Sequence, residues 1–218
     1  PLVFVSYARE DNKSHGNKKG FVERLLPFLK RPLEQAGIEL FIDNTIITGE
    51  YSPAIKTALD RATAALLLIS PSFMDSDYII EQELPVIVSR YKAGHLDIFP
   101  VLISCCPWNL VHISYPGQEE DNLPRGFLLS HLLLPGHDPD HPLDDLPDNK
   151  VNKVFKEVTK RILAYHKKRK KILQSRTIVD NPPPQKKATI IPTGSPEKNT
   201  TIVDKTPPSK RTTIVPDT

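Results

Sequence analysis

Cysteine is nearly absent. The 218 residues hold two, Cys105 and Cys106, side by side. Neighbouring cysteines rarely pair and two thiols make no disulfide framework, so the composition points to a reducing, cytoplasmic setting. Glycine is sparse at nine residues, and no two stand one residue apart. That excludes the Gly-x-Gly fingerprint of a Rossmann dehydrogenase. No apolar run approaches the length of a membrane span; residues 64–69 are the longest near a strand. No signal peptide is visible. The chain opens at Pro1 and enters an apolar run at once, which reads as a fragment of a longer protein.

Proline, by contrast, is plentiful at 22 residues, and the apolar fraction of 39% is low for a globular chain. Both anomalies come largely from the carboxyl end. From Lys167 onward the net charge is +8; the whole chain carries +3, which leaves −5 for residues 1–166. The basic character belongs to the tail, so nucleic-acid binding by the folded part is not the natural inference. In the tail, Thr177-Ile-Val-Asp, Thr189-Ile-Ile-Pro, Thr201-Ile-Val-Asp and Thr213-Ile-Val-Pro recur every 12 residues. Each unit is too short and polar to bury a face, so residues 167–218 read as a disordered, repetitive linker to a further module. Basic residues upstream of the threonines also suit a tandem phosphoacceptor, and the units could add as strands to a partner's sheet.

Residues 1–166 alternate between strand and helix patterns. Leu2-Val-Phe-Val-Ser6 is a buried strand opening into a polar loop. Residues 21–36 have helical spacing, with Pro27 and Pro32 predicting a kinked or divided helix and Gly37 a stop. Residues 38–42 are a second strand, 51–61 a helix, and 64–69 a third strand, apolar on both faces. Ser76 or Asp77 caps a helix that carries Pro85 and ends near Gly94. Residues 98–103 are a fourth strand, and 127–134 hold a short apolar piece. A last helix over 149–171 ends in Lys167-Lys-Arg-Lys-Lys171, where positive charge suits the helix dipole. The alternation argues an α/β fold: a doubly wound, mostly parallel sheet of about 4–5 strands with helices on both faces.

The chemistry concentrates in Ser70-Pro-Ser-Phe-Met-Asp-Ser-Asp-Tyr-Ile-Ile-Glu-Gln-Glu-Leu84. It follows the carboxyl end of a buried strand, the edge where open α/β sheets bind ligands. It offers an aromatic, small polar groups and carboxylates. Glu83 is the candidate working residue, against the plainer reading of a solvated helix glutamate. His137-Asp-Pro-Asp-His141 looks like a ligand cluster, but its proline prevents the helix that would place both rings on one face, so no metal is expected.

Four pieces in order then carry a resemblance: Val3-Phe-Val-Ser-Tyr7; Gly37, Phe41-Ile-Asp43, Ile46 and Gly49; Leu68-Ile-Ser-Pro-Ser-Phe73 with Ser76-Asp-Tyr78 and Glu83-Leu84; and Phe99-Pro-Val-Leu102 with Pro107-Trp108. Together, over residues 1–166, they resemble a Toll/interleukin-1 receptor (TIR) domain of the bacterial type. The resemblance implies a flavodoxin-like fold and the activity of the family's NAD hydrolases, which split nicotinamide from ribose. It maps the catalytic glutamate to Glu83 and a base-stacking aromatic to Tyr78. It places Tyr7, Arg9, Asp43, Gly49, Tyr51 and Ser76 around the substrate. In the family the aromatic stands four residues before the glutamate; here Tyr78 stands five before Glu83, which makes Glu81 the alternative. Ala8 also takes the place of one of two basic residues, leaving Arg9.

The resemblance further implies NAD as substrate with no cofactor, self-association through surfaces that include the loop 44–51, and a role in bacterial defence. The runner-up is a scaffold that pairs with other TIR domains and does no chemistry. A nucleoside deoxyribosyltransferase shares the fold type, but residues 43–49 suit it less well. A phosphoacceptor receiver domain is excluded, because Ser70-Pro71 stands where its aspartate would be.

Overall fold

The computed structural model describes residues 1–14, 19–42, 53–117, 126–132, 138 and 140–180, with side chains of the last helix described to 175. Asp43, Gly49, Tyr51 and the rest of the loop 44–51 lie outside the described residues, as do His137 and everything beyond 180. Four strands make one parallel sheet: β1 (Leu2–Tyr7), β2 (Glu39–Ile42), β3 (Ala64–Ile69) and β4 (Asp97–Leu102), in the order β2-β1-β3-β4. Val3 pairs with Leu40 on one side of β1 and with Ala64 on the other. This is the flavodoxin-like order, and the chain reverses its direction of winding between β1 and β3. A two-stranded antiparallel ribbon pairs β5 (His112–Ile113) with β6 (Phe127–Leu128), so the apolar piece that begins at 127 opens as a strand and continues as a 3-10 turn over Leu129–His131.

Both faces of the sheet are covered, as the continuous apolar runs require. Side chains alternate across β1, so Leu2, Phe4 and Ala8 face one core. That core is closed by α2 (Pro53–Arg61), α3 (Pro71–Met74) and α4 (Leu84–Lys92), through residues such as Ile55, Phe73 and Ile87. Val3 and Val5 face a second core, closed by α1 (Phe21–Gln35) and α5 (Asp148–Asp180). Leu25, Leu29 and Leu33 of α1 meet Val151, Phe155 and Val158 of α5 there.

The helix expected to kink or divide at its prolines is not divided. α1 runs unbroken through Pro27 and Pro32. A proline at 32 removes the donor that would bond the carbonyl of Phe28. The hydroxyl of Thr159, buried on α5, lies 3.2 Å from that carbonyl and 2.9 Å from the carbonyl of Phe155 in its own helix. The neighbouring helix thus offers a donor, shared with its own backbone, to the carbonyl that Pro32 leaves open, and the buried stripe Val22, Leu25, Leu29, Leu33 holds the helix against its partner. The expected stop does occur: Gly37 takes φ +69°, and Ile38 N–H returns to the carbonyl of Leu33.

The last helix also outruns its expected end. α5 continues past Lys171 to Asp180, so its final turn contains Thr177-Ile-Val-Asp180. Compact packing likewise groups residues 1–180 together. The basic run 167–171 therefore lies within the helix, not at its terminus, and the dipole does not explain it. Arg169 instead bonds the Tyr165 hydroxyl at 3.0 Å, while Lys167, Lys168, Lys170 and Lys171 face solvent. No described helix is long and apolar enough to cross a membrane.

Candidate active site

Two serines mark the carboxyl ends of the two central strands, at the point where the winding reverses. Ser6 lies one residue before the end of β1, and Ser70 directly follows β3. Ser6 falls on the stripe of Leu2, Phe4 and Ala8, and is the polar interruption of an apolar surface. Its side chain is 2% exposed and donates to Glu83 Oε2 at 2.5 Å. Glu83 is itself buried, at 5% exposure. Ser70 donates to Asp11 Oδ2 at 2.6 Å and accepts from Phe73 N–H at 2.9 Å, capping the short α3. Burial raises the Asp11 carboxyl above its ordinary value; the Ser70 bond opposes this and the charge of Glu10 adds to it.

The segment that carries Glu83 is not a regular α-helix. Ser76 accepts from Ile79 N–H at 3.4 Å and starts the turn, as a capping serine does. Residues Ile79–Glu83 then form a π-helical turn, in which Leu84 N–H reaches the carbonyl of Ile79, five residues back. Pro85 follows at once, and its ring disfavours a normal turn immediately before it. The wide turn has a consequence for register. In an α-helix a residue five positions on lies roughly 140° round the axis. The π turn advances less per residue, so Tyr78 and Glu83 lie closer round the axis than five α-helical residues would place them.

The expected site residues divide accordingly. Ile79 is 3% exposed and belongs to the core, whereas Tyr78 is half-buried against it. Glu81 is exposed and lines a shallow surface hollow with Pro85 and His112, away from the buried position that Glu83 takes. Tyr7 packs against the core of α1 and α5, the opposite face from Ser6, because neighbouring strand residues point opposite ways. Arg9 is exposed on a 3-10 turn after β1, and Ala8 is buried. Ser6, Ser70 and Asp11 were not among the expected site residues. For Ser6 a signal existed: it is the only polar residue in its strand's inward alternation. Asp11 carried none, since its partner is 59 residues away.

A cleft of about 370 Å³ opens at the same edge, on the α1 and α5 side. Asp11, Arg24, Ser104 and Asp144 line it; Ser6, Tyr78 and Glu83 do not. Among the described residues no cluster of His, Cys, Asp or Glu has the arrangement of a metal site.

Comparison with known proteins gives the family. A family model described as TIR domain matches residues 3–123. An uncharacterized protein, y4lF, of Sinorhizobium fredii (strain NBRC 101917 / NGR234) is 31% identical over 110 residues, covering 50% of this chain and 32% of that protein. The chain therefore spans about a third of that relative's length. Among solved structures, the TIR domains of the activated Roq1 resistosome, which directly recognizes the pathogen effector XopQ, align over 72% of this chain and 81% of theirs. The identity there is 20% and the TM-score 0.40.

Proposed function

The chain belongs to the TIR domain family, and on that premise we propose that it is an NAD glycohydrolase with Glu83 as its catalytic carboxylate. One observation carries the reading: a glutamate held in a buried position at the switch point of the sheet, bonded to the end of a central strand. A buried carboxylate costs stability and is retained where it has work to do.

The chemistry asks little else. The bond between C1′ of the ribose and the nicotinamide nitrogen breaks, and its electron pair leaves with the nitrogen. Nicotinamide was cationic and departs neutral, so no acid is needed to protonate it. Positive charge moves onto the ribose, and a fixed carboxylate stabilises it. Water adds at C1′ and loses a proton to give ADP-ribose; attack by the adenine instead gives the cyclic product. Tyr78 supplies a stacking face one wide turn before Glu83. NAD is substrate here, and no cofactor or metal takes part. Arg9 and Ser76 border the substrate, as do Asp43, Gly49 and Tyr51 of the loop outside the described residues, and Tyr7 contributes from the far side of β1.

Self-association, involving the loop 44–51, completes the cleft and switches the enzyme on. The setting is a cytoplasmic bacterial defence response. The second reading is a TIR scaffold without chemistry, favoured by the depth at which Glu83 is buried. Nicotinamide release from NAD by the full chain, at high concentration or clustered on beads, separates the two. The enzyme reading expects turnover that Glu83→Gln abolishes and Glu81→Gln keeps. No turnover under clustering would establish the scaffold instead.

A further inference from the structure

We infer that Ser6 is a positioning residue for the Glu83 carboxylate, an inference that rests on the proposed NAD hydrolysis. Ser6 does not touch substrate in this role; it acts through Glu83. The argument starts from what surrounds it. Leu2, Phe4 and Ala8 are apolar and buried, and Leu67 and Leu84 complete the same core. An alanine or valine at position 6 would suit that environment better than a hydroxyl, which must find a partner or be buried at a cost. The partner found is a carboxylate 77 residues away. A Ser–Glu pair in an apolar core is a poor stabilising device compared with two apolar side chains. It is a good orienting one.

Glu83 needs orienting because of where it stands. Its side chain has three rotatable bonds, and its backbone is the last residue of a π turn. The helix ladder around it is interrupted by Pro85. β1, in contrast, is bonded on both sides, to β2 and β3, and Ser6 sits in register with Leu67. The 2.5 Å bond to Oε2 ties the carboxylate to the stiffest element of the domain. With one oxygen fixed, the plane of the carboxylate is set relative to the sheet edge where ribose would lie. Catalytic groups must be held to within roughly 0.5 Å, and a misplacement of about 1 Å can cost on the order of a hundredfold in rate.

The test is steady-state nicotinamide release by the full 218-residue chain and its Ser6→Ala, Ser6→Thr and Glu83→Gln variants, each confirmed folded by circular dichroism. Ser6→Ala is expected to lower kcat by about 10–100-fold with KM within about threefold of the parent. Ser6→Thr keeps the donor on a β-branched side chain that a strand accepts, and should recover most of the rate. Parental kcat in Ser6→Ala, with Glu83→Gln dead, overturns the positioning role and leaves the enzyme reading intact. Equal losses in Ser6→Ala and Ser6→Thr, or a loss confined to KM, also overturn it, since packing alone would then account for the effect. A clustered parent without turnover overturns the enzyme reading and this inference with it.

Discussion

Replacing Glu83 by glutamine should leave the protein as stable as before or more so, while removing activity. The substitution is nearly isosteric, and the amide oxygen can still accept from the Ser6 hydroxyl. The bond changes from one to a charged acceptor, worth about 1.5–3 kcal/mol, to a neutral one of about 0.5–1.5 kcal/mol. Stability falls by about 1 kcal/mol on that account. Against this, a charge at a site 5% exposed no longer has to be taken out of water. That penalty is several kcal/mol for an ion in a real protein. An amide N–H2 buried there must find acceptors of its own, which returns part of the gain. The net lies between no change and about 2 kcal/mol of stabilisation, or up to roughly 8 °C in Tm for a domain of this size. Rate should fall by at least 10²–10³.

Thermal melts by circular dichroism and nicotinamide release, on the same preparations, give both numbers. Glu83→Ala provides the contrast. It leaves the buried Ser6 hydroxyl without its acceptor and opens a cavity, and should cost about 2–4 kcal/mol. A Glu83→Gln protein that melts more than about 4 °C below the parent would refute the reasoning. The charge itself would then be a structural requirement of the core, and its burial would no longer point to function.

Thr159→Val should destabilise by about 1–2 kcal/mol in urea unfolding, because it strips the Phe28 carbonyl of the donor that Pro32 cannot replace; an unchanged midpoint would refute that account of α1. Gly126→Ala should cost at least about 2 kcal/mol, seen as a lower Tm, since φ is +85° and a Cβ there would stand 2.6 Å from the carbonyl oxygen of Ile113. His166 is buried, and burial first, then the positive charges of the amino terminus and Arg169, lower its pKa from 6.5 to about 4. The unfolded chain therefore binds a proton at higher pH than the folded one, so stability is full above about pH 6.5 and is lost as pH falls towards 4. After discounting the screened part of the ring the loss is about 2 kcal/mol, and His166→Phe should flatten the Tm profile over that window.

What was legible in the sequence is what neighbours along the chain decide. The strands declared themselves by apolar runs, and their both-sided burial followed from the absence of alternation within 64–69. The helix stop at Gly37 came from a conformational freedom that belongs to one residue. Glu83 stood out because it follows a buried strand at a sheet's carboxyl edge, where open α/β sheets commonly bind ligands. The spacing of five residues between Tyr78 and Glu83 was visible as well, but not the π turn that lies between them. A π turn gains nothing from local propensity; it depends on Pro85 and on a core that holds Ile79 and Leu84 in place together.

Tertiary structure decided everything that needed a distant partner. Pro27 and Pro32 argued for a kinked or divided helix because a sequence window contains no substitute donor; for Pro32, Thr159 on another helix offers one that it shares with its own backbone. Asp11 looked like a loop aspartate until β3 delivered Ser70 to it. Tyr7 and Ser6 are adjacent in sequence and were weighed as one motif, yet the pleat sends them to opposite cores, and it is the serine that meets the glutamate. The sequence by itself determined the order of elements and which edge of the sheet holds the candidate site, since those follow from local pattern and the limited ways of winding a parallel sheet. Only the folded chain chose which side chains meet at that edge, because a hydrogen bond across 77 residues is set by packing and leaves no mark on the residues between.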